Sequence, residues 1–344
     1  MSDNFLFYID ERNKRSLNQI LEMDQDALRY SIIKYCKEKS IKPLFFYFHN
    51  FDKNIEKSRI IIKKRNFINF INFINLISRS KVLYINIQGV KEFFIALITK
   101  VFYPKTKIVH HFHGIFKIEN HNFFKKLYYK IYTKLFDLLI ADTTFEARKI
   151  NIFVGKNKTH RFFYGSNLRP VKPLKHTKFT LVFVGRISPE KQIEKIIYGL
   201  KPIKNSVKLI IIGNIENKNY YNYLIKKLDF MDYEFKGFMN KKDIQKIFQF
   251  SDAFINLSSD ESFGRVFVEA LASGLPVIGS YYAPGPKELI ENGVNGFILK
   301  QPEELKYIIS ADFNKIRNYC IKNSKKYSYK KSYETFNQIF QRLF

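Results

Sequence analysis

Cysteine is scarce in this chain. Its two cysteines, Cys36 and Cys320, lie far apart and form no Cys-x-x-Cys pair. This spacing supports neither a disulfide framework nor a structural zinc site, so we expect a protein of a reducing compartment.

Long apolar runs are absent as well. A membrane-spanning helix needs about 18 or more apolar residues, and no window of the sequence reaches that length. The longest candidate, 90–103, is interrupted by Lys91, Glu92 and Lys100. The N-terminal residues show no basic segment ahead of an apolar run. We therefore predict neither a transmembrane helix nor a secretory signal, and we expect a cytoplasmic protein.

Acidic residues are few relative to basic ones: 31 against 59, which gives a formal net charge of +28. Nucleic acid, an anionic membrane face and a nucleotide substrate are the partners that such a charge attracts. A compositional bias toward Lys, Asn, Ile, Phe and Tyr explains the charge equally well, and both explanations remain open. No zinc-finger spacing, arginine-rich arm or RNA-binding motif accompanies the charge, so we expect no nucleic-acid partner.

The length and the hydrophobic pattern predict two α/β domains. A chain of 344 residues with 46% hydrophobic residues has material for two cores. Short apolar runs alternate with amphipathic segments, which is typical of βα units on a parallel sheet. The alternation lapses in a Pro-containing basic stretch. We predict an N-terminal Rossmann-like domain over 1–168, a linker over 169–177, a C-terminal Rossmann-like domain over 178–325 and a C-terminal helix over 326–344.

Strands are predicted at Phe5–Asp10, Pro43–Phe48, Val82–Ile87, Lys107–Phe112, Leu138–Ala141, Thr180–Val184, Lys208–Ile212, Tyr233–Phe235, Ala253–Leu257, Pro276–Gly279 and Gly296–Leu299. Helices predicted between them include Arg15–Glu38, Val90–Val101, Asn122–Phe136, Pro189–Leu200, Tyr220–Leu228, Lys241–Phe250, Val266–Ser273 and Pro302–Ile309, and the stretch Asn314–Phe344 is also predicted to be helical.

The segment 261–269 joins a predicted strand to a predicted helix. Gly264 permits a close backbone approach, and the N–H groups at a helix start suit a phosphate. Glu269 lies five residues further on, about 7–8 Å along a helix. Glu261 and Glu269 are thus spaced to hold the two ends of a nucleotide sugar. A helix cap and an ordinary helix-face Glu explain the spacing alone equally well.

Two cations lie at an earlier strand-to-helix junction. The Arg186 guanidinium can fork onto phosphate oxygens, and Lys191 adds a point charge. Together they would stabilise the charge on a departing diphosphate without a metal. Taken alone, they are equally consistent with surface cations near a helix end.

In combination these segments resemble the family-four retaining glycosyltransferases of the GT-B fold. The matching stretches, within 179–299, are Val184–Arg186 with Lys191, Glu261–Arg265 with Glu269–Ala270, Ala272–Ile278, and Gly285–Glu288 with Asn292–Phe297. The resemblance implies two Rossmann-like domains that face each other across a cleft, with the C-terminal helix crossing back to the first domain.

The resemblance also implies a role for each matching residue. Glu261 would contact the donor sugar and Glu269 the ribose hydroxyls. Arg186 and Lys191 would bind the diphosphate. The further donor-binding residues that the family implies are Gly185, Gly237, Phe238, Ser262, Phe263 and Gly264.

A histidine in the first half completes the implied site. Family members carry a His-Gly-like pair after a strand, where the histidine reaches the donor sugar. His113, followed by Gly114, is the expected residue. His111 is the reserve, because alternation along a strand directs both side chains to the same face.

The chain departs from the family pattern after its first predicted strand. The family's Gly-rich loop is replaced there by a segment with Arg12, Lys14 and Arg15, which would have to substitute for backbone donors. The one Asp-x-Asp triplet of the sequence, 24–26, lies within a predicted helix rather than at a strand end. We therefore expect no metal and no cofactor.

The implied activity is transfer of a hexosyl unit from a nucleotide sugar, with a UDP-sugar favoured and the anomeric configuration retained. The expected acceptor is a glycan or a polyprenyl-diphosphate-linked glycan of capsule or O-antigen assembly. The basic and aromatic segments 93–103 and 123–130 are candidates for contact with the inner face of the plasma membrane. A nucleic-acid-binding protein and a sugar-nucleotide hydrolase or epimerase of the same fold are the alternatives.

Overall fold

The computed structural model of the chain describes residues 4–10, 27–49, 55–57, 60–64, 67–86, 88–113 and 121–343. The chain divides into two compact units, Met1–Phe163 with Ser332–Phe344, and Tyr164–Lys331. Each unit is built on a largely parallel sheet flanked by helices, so the predicted α/β class with two Rossmann-like domains is confirmed.

The sheet of the first unit has eight described strands in the order β3-β4-β2-β1-β5-β6-β7-β8. The strands are β1 Asn4–Asp10, β2 Lys42–His49, β3 Ile55–Lys57, β4 Ile60–Lys64, β5 Ser80–Ile85, β6 Lys107–Phe112, β7 Leu138–Ala141 and β8 Thr159–Arg161. Neighbours are parallel except β3 and β4, which pair antiparallel. The central strands are nearly continuous apolar runs because helices cover both faces of such a sheet.

The helices of the first unit cover this sheet and enclose a core rich in aromatic rings. They are α1 Ala27–Glu38, α2 Phe67–Ser78, α3 Val90–Phe102, α4 Phe123–Lys134 and α5 Thr144–Val154. Residues from the last helix of the chain belong to the same unit. Phe336 and Phe340 stack on each other with ring centroids 4.1 Å apart, and both contact Phe5 and Tyr35.

The second unit carries a six-stranded, fully parallel sheet in the order β11-β10-β9-β12-β13-β14. Its strands are β9 Phe179–Val184, β10 Val207–Ile212, β11 Asp232–Gly237, β12 Ala253–Asn256, β13 Val277–Ser280 and β14 Gly296–Leu299. The remaining helices of the chain are α6 Ile193–Leu200, α7 Lys218–Leu228, α8 Lys241–Gln249, α9 Arg265–Ala272, α10 Pro284–Leu289, α11 Leu305–Ile308, α12 Phe313–Asn323 and α13 Tyr329–Phe340.

The strand order of the second unit creates a switch point between β9 and β12. The chain proceeds from β9 to β10 and β11 on one side, then crosses to β12, β13 and β14 on the other. Helices that leave neighbouring strands in opposite directions open a crevice beyond the carboxyl ends of those strands, where ligands of such sheets bind. The loops after β9 and β12 are the two that flank this crevice.

Three predicted helices differ from the structure. The predicted helix Pro302–Ile309 is divided into a 3-10 turn over Pro302–Glu304 and α11. The predicted helix Pro189–Leu200 is wrong as one element, because a 3-10 turn over Pro189–Lys191 is separated from α6 by Gln192 at φ 51°. That left-handed residue breaks the helical hydrogen-bond pattern. The predicted C-terminal helical stretch is divided between α12, a 3-10 turn and α13.

Candidate functional site

The loops after β9 and β12 meet through an ion pair. Lys191 Nζ lies 2.7 Å from Glu261 Oε2, and the two side chains are only 17% and 18% exposed. Asn256, the last residue of β12, donates its amide to the same carboxylate oxygen at 3.3 Å. Two of the predicted site residues, 70 positions apart in sequence, are therefore in direct contact.

The same two loops are also joined by neutral hydrogen bonds. The Gln192 side-chain oxygen accepts from the Ser259 backbone N–H at 3.0 Å and from the Ser259 hydroxyl at 3.1 Å. The Ser258 hydroxyl donates to the Glu190 carbonyl at 2.8 Å. These contacts fix the backbone on either side of the Lys191–Glu261 pair, so the pair is held by a rigid frame.

The start of α9 lies directly after this frame. Gly264 adopts φ 78° as the N-cap of α9, and a Cβ there would meet the Phe267 ring at 2.6 Å. The Phe263 side chain is buried, with its ring 5.3 Å from that of Tyr164. Gly285 allows close packing behind the loop, since a Cβ would lie 2.4 Å from the Phe263 carbonyl oxygen. The backbone of 262–264 is thus fixed from behind, next to a helix N-terminus that suits a phosphate.

The other two charged residues of the predicted site have partners outside it. Arg186 pairs with Glu216 at 2.8 Å, and both side chains are largely exposed. Glu269 pairs with Lys241 at 2.8 Å, with the carboxylate mostly buried. An exposed ion pair such as Arg186–Glu216 contributes about 0–1 kcal/mol to stability, so little free energy is lost if Arg186 exchanges Glu216 for a phosphate.

Glycines end three adjacent strands on the other side of the crevice: Gly185 after β9, Gly213 after β10 and Gly237 at the end of β11. The Gly213 N–H donates to the Gly237 carbonyl at 2.8 Å. At Gly213 φ is 155°, and a Cβ would lie 1.7 Å from the Gly185 oxygen. Phe238 follows with its ring 72% exposed, which leaves a flat apolar surface at this edge.

The histidine predicted for the first unit belongs to a network at the carboxyl ends of β6 and β7. His111 Nε2 lies 3.0 Å, and His113 Nδ1 3.3 Å, from the same oxygen of Asp142. The hydroxyl of Tyr84 lies 2.6 Å from His111 Nδ1. The His111 ring is buried, whereas the His113 side chain is 42% exposed. Gly114 lies outside the described residues.

Asp142 is ionised in this network. Burial by itself would raise the pKa of Asp142, but the charge of His113 and hydrogen bonds from both imidazoles hold that pKa well below its usual range. His110, which points to the opposite face of β6, is fully buried among aromatic rings. Burial and the neighbouring His111 and His113 lower its pKa well below the ordinary value, so His110 stays neutral.

Within the described part of the chain, the ligand atoms of His111, His113 and Asp142 lie within 4.8 Å of one another, close enough to hold a metal ion. Imidazole nitrogens and a carboxylate are ligands that zinc and other divalent metals accept. In the observed arrangement the two imidazoles are hydrogen-bonded to Asp142, so a cation would have to replace both of these hydrogen bonds.

The sequence prediction missed several residues that the structure places beside the predicted ones. They are Tyr84, Asp142, Gln192, Gly213, Glu216, Lys241, Asn256 and Ser259. A signal existed for Asp142 and Asn256, which are polar residues at the carboxyl ends of buried strands. The residues Arg12, Lys14, Arg15 and the triplet 24–26 lie outside the described part of the chain.

The family model named "Glycosyl transferases group 1" matches residues 166–327, just under half of the chain. This segment is similar to the domains of that family. It contains the loops after β9 and β12, the Lys191–Glu261 pair and the start of α9. The stretches within 179–299 that carried the resemblance in the sequence therefore lie in the matched segment.

Curated relatives match over less than half of the chain. An uncharacterized glycosyltransferase of Methanocaldococcus jannaschii is 31% identical over 159 residues, which cover 44% of this chain and 40% of the relative. The alpha-monoglucosyldiacylglycerol synthase of Acholeplasma laidlawii is 32% identical over 137 residues, covering 38% of this chain and 34% of the relative. The matches thus span well under half the length of these relatives.

The fold of the whole chain is that of known GT-B structures. The Anabaena protein HepE, in a crystal structure with UDP and glucose, superposes with a TM-score of 0.75 over 98% of this chain and 99% of that one, at 17% identity. The predicted GT-B fold is confirmed by this likeness. Among the described residues, no helix has both the length and the apolar character needed to span a membrane.

Proposed function

We propose that this chain is a retaining glycosyltransferase that transfers a hexosyl unit from a nucleotide sugar, with a UDP-sugar favoured, to a glycan or lipid-linked glycan. The observation that carries the proposal is the Lys191–Glu261 pair, set in a rigid frame at the switch point of a group 1 domain. A cation and a carboxylate fixed beside a helix N-terminus supply complementary contacts for a diphosphate and for sugar hydroxyls.

The proposed contacts with the donor follow from this placement. Lys191 and Arg186 bind the diphosphate, with Arg186 leaving Glu216 to do so. Glu261 binds the sugar hydroxyls, and Glu269 binds the ribose hydroxyls. Ser262, Phe263 and Gly264 present backbone groups to the phosphate and the sugar.

The base binds at the edge formed by β9, β10 and β11. Gly185 and Gly237 allow the ligand to approach the backbone there, and the exposed ring of Phe238 provides a stacking surface for the base. Base–aromatic stacking contributes roughly 1–3 kcal/mol by alanine substitution in nucleic-acid complexes. The Anabaena structure that contains UDP has the same fold, which supports testing UDP-sugars first.

In the proposed reaction the acceptor hydroxyl attacks the anomeric carbon from the face that the diphosphate leaves. The carbon–oxygen bond to the phosphate breaks, the new glycosidic bond forms, and the hydroxyl proton passes to a phosphate oxygen. Lys191 and Arg186 stabilise the negative charge that develops on the departing diphosphate. The configuration is retained because attack and departure occur on one face, and no metal enters this route.

Donor binding and turnover test the proposal directly. A thermal-shift panel of UDP-, GDP- and ADP-sugars should show one class that raises the melting temperature, because a ligand that binds the native state stabilises it in proportion to its affinity. Release of the nucleoside diphosphate should then depend on an added glycan acceptor, and NMR of the product should show a retained anomeric configuration. Release without any acceptor would indicate a hydrolase and would contradict the transferase assignment.

We further propose that α3 and α4 contact the anionic inner face of the plasma membrane, where a lipid-linked acceptor of capsule or O-antigen assembly would lie. Apolar side chains are exposed along α3 at helical spacing, at Val90, Phe94, Leu97 and Val101, and along α4 at Phe123, Phe124, Leu127 and Ile131. The exposed Lys125, Lys130 and Lys134 lie on α4 among these side chains. Apolar side chains with interspersed lysines are the pattern of interfacial helices.

Vesicle sedimentation tests this surface. The chain should sediment with vesicles that contain phosphatidylglycerol and much less with neutral phosphatidylcholine vesicles. Replacing Phe94 and Phe124 together by serine should lower that binding at least about tenfold, since each buried ring contributes roughly 1.5–3 kcal/mol. Tyr307→Ser removes an equally exposed ring from the second unit and serves as the matched control. Equal binding to neutral and anionic vesicles would contradict the proposal that α3 and α4 contact an anionic membrane.

A further inference from the structure

Gln192 lies between the 3-10 turn Pro189–Lys191 and α6, in a left-handed backbone conformation with φ 51° and ψ 41°. This conformation is disfavoured for a residue with a side chain, because Cβ comes too close to the following carbonyl oxygen. Among the described residues, Ser40 is the other non-glycine residue with a positive φ. Backbone strain of this kind persists only where the surrounding contacts enforce it. The contacts of Gln192 must therefore outweigh the strain.

Both the backbone and the side chain of Gln192 are engaged. Its N–H donates to the Pro189 carbonyl, and its carbonyl accepts from the Lys195 N–H, each at 3.0 Å. Its side-chain oxygen accepts from the Ser259 N–H at 3.0 Å, from the Ser259 hydroxyl at 3.1 Å and from the Lys195 ammonium group at 2.9 Å. An amide oxygen can only accept, so all three groups donate to it. The side chain thus joins the start of α6 to the loop after β12.

The left-handed residue also separates two lysines. In an uninterrupted helix, residues four apart lie on one face, so Lys191 and Lys195 would extend from the same side. The break at Gln192 instead directs Lys191 to Glu261, with Nζ 2.7 Å from Oε2, and Lys195 to the Gln192 side chain. The direction of Lys191 therefore depends on the break and on the contacts that hold it.

We propose that Gln192 is a positioning residue for Lys191: its side-chain oxygen, bound to Ser259, holds the left-handed break that directs the Lys191 ammonium group toward Glu261. The contact of that ammonium group with a donor diphosphate rests on the proposed function. The hold of Gln192 on the Lys191–Glu261 pair rests only on contacts within the second unit. Gln192 itself touches no reacting atom, and its effect on catalysis passes through Lys191.

The coupling between Gln192 and the ion pair can be measured without a ligand. Gln192→Gly removes the amide and relieves the strain, whereas Gln192→Ala removes the amide and keeps the strain. The glycine variant should therefore melt about 2–4 °C above the alanine variant. Lys191→Met should lower the melting temperature of Gln192→Gly by about half as much as that of wild type, because the released turn no longer holds the ammonium group against Glu261. Equal losses in the two backgrounds would overturn the positioning role.

Turnover tests the catalytic consequence. With the best UDP-, GDP- or ADP-sugar, Gln192→Gly and Gln192→Ala should each lower kcat about tenfold, less than removal of Lys191, because the ammonium group is displaced but still present. KM should change less than kcat, since the contact is proposed to strengthen in the transition state. In the Lys191→Met background, Gln192→Gly should lower kcat by less than about twofold further. A further tenfold loss would show that Gln192 acts by another route and would overturn the proposal.

Gln245→Ala is the matched control. The Gln245 side-chain amide donates to the Arg169 carbonyl at 2.6 Å in the same unit, and in the described residues it contacts neither crevice loop. Its effects on melting temperature and on kcat should simply add to those of Lys191→Met.

Ser259→Ala provides a further variant should both substitutions of Gln192 fail to fold. It removes one of the donors to the Gln192 oxygen, so it should show the same coupling with Lys191→Met at a smaller size, and strict additivity would overturn the proposal. If wild type turns over no UDP-, GDP- or ADP-sugar, the proposed function is refuted. The melting-temperature comparison then still decides whether Gln192 holds Lys191 in place.

Discussion

Replacing Lys191 by methionine removes the ammonium group of the Lys191–Glu261 ion pair while keeping most of the apolar side chain. In the structure the Lys191 Nζ is 2.7 Å from Glu261 Oε2. Among the described residues, the Asn256 amide at 3.3 Å is the donor that would remain on that oxygen. The variant therefore leaves a mostly buried carboxylate with one neutral partner.

The cost to stability lies between two known limits. Breaking a fully buried ion pair costs about 3–5 kcal/mol, whereas an exposed pair contributes about 0–1 kcal/mol. Lys191 and Glu261 are 17% and 18% exposed, so screening by solvent reduces the buried limit, and we expect a loss of about 1–2 kcal/mol. A protein of ordinary stability, about 5–15 kcal/mol, remains folded after such a loss.

The cost to catalysis should be larger. A single preorganised group that stabilises charge in the transition state contributes about 10²- to 10³-fold to kcat, or roughly 2.7–4 kcal/mol. Lys191→Met should therefore lower kcat by about two orders of magnitude while the melting temperature falls by only a few degrees. The two effects are distinguishable because the protein stays folded at the assay temperature.

The assay is release of nucleoside diphosphate from the best donor of the panel, with melting temperature measured on the same preparations. Lys178→Met is the matched control: Lys178 pairs with Asp232 at 2.9 Å on the surface of the same unit, and its loss should leave kcat unchanged. If Lys191→Met turns over the donor within about threefold of this control, well short of the loss expected for a transition-state contact, the pair is structural and the assignment of Lys191 is refuted.

Three further changes probe the same structure. Gly213→Ala should destabilise the chain by about 2–4 kcal/mol and weaken donor binding, because the new Cβ would lie 1.7 Å from a carbonyl oxygen. In the control Gly155→Ala, at φ 70° with nothing within 4 Å of the new Cβ, only about 1–2 kcal/mol should be lost, because of the strain of the left-handed backbone. Equal losses of the free energy of unfolding in urea would contradict this reasoning. Phe238→Ser should lower UDP affinity by about 5- to 150-fold in calorimetry with little effect on stability. The control Tyr307→Ser should leave UDP affinity unchanged. Unchanged affinity in Phe238→Ser would exclude stacking of the base on Phe238. The pKa of His110 is lowered in the folded state, so the unfolded chain binds a proton that the folded chain does not, and stability falls as the pH drops below about 6.5, by up to about 1.4 kcal/mol per pH unit. His110→Phe should therefore make the free energy of unfolding in urea less dependent on pH between about pH 6.5 and 5. An unchanged slope would mean that other groups cause the acid sensitivity.

The strands that position the site could be predicted closely from the sequence. β6, β7 and β14 have the predicted bounds, and β9, β10 and β12 differ by one residue at one end. Strands covered on both faces are short, nearly continuous apolar runs, which distinguishes them from amphipathic helices. This signal comes from local burial, so a single sequence contains it.

Three short strands of the first sheet could not be predicted in this way. β3 and β8 have three residues each and include charged residues, so no apolar run marks them. In β4 the three isoleucines are followed directly by two lysines. The interruption at Gln192 is also invisible in the hydrophobic pattern. Its left-handed conformation is set by tertiary contacts, since the side-chain oxygen accepts two hydrogen bonds from Ser259.

Some charged residues of the candidate site could be predicted from the sequence and others could not. Glu261 and Lys191 were predicted because a resemblance connects residues that are distant in sequence. Glu216 and Lys241 were not, because an ion pair between distant positions has no signature in a single chain. Each of these two holds a predicted residue, Arg186 or Glu269, in the structure. Ligand binding at the proposed site thus requires an exchange of partners that no sequence motif encodes.

The two histidines of β6 show where alternation stops being informative. Alternation correctly predicts that His111 and His113 share a face, since both reach the same oxygen of Asp142. It does not predict depth: His111 lies within an interior strand and is buried, whereas His113 lies just beyond the strand end and is partly exposed. Nor does it predict the partner that both rings share, because Asp142 follows the neighbouring strand β7. The surroundings of His113 therefore include a carboxylate from the end of the neighbouring strand, which alternation along β6 does not reveal.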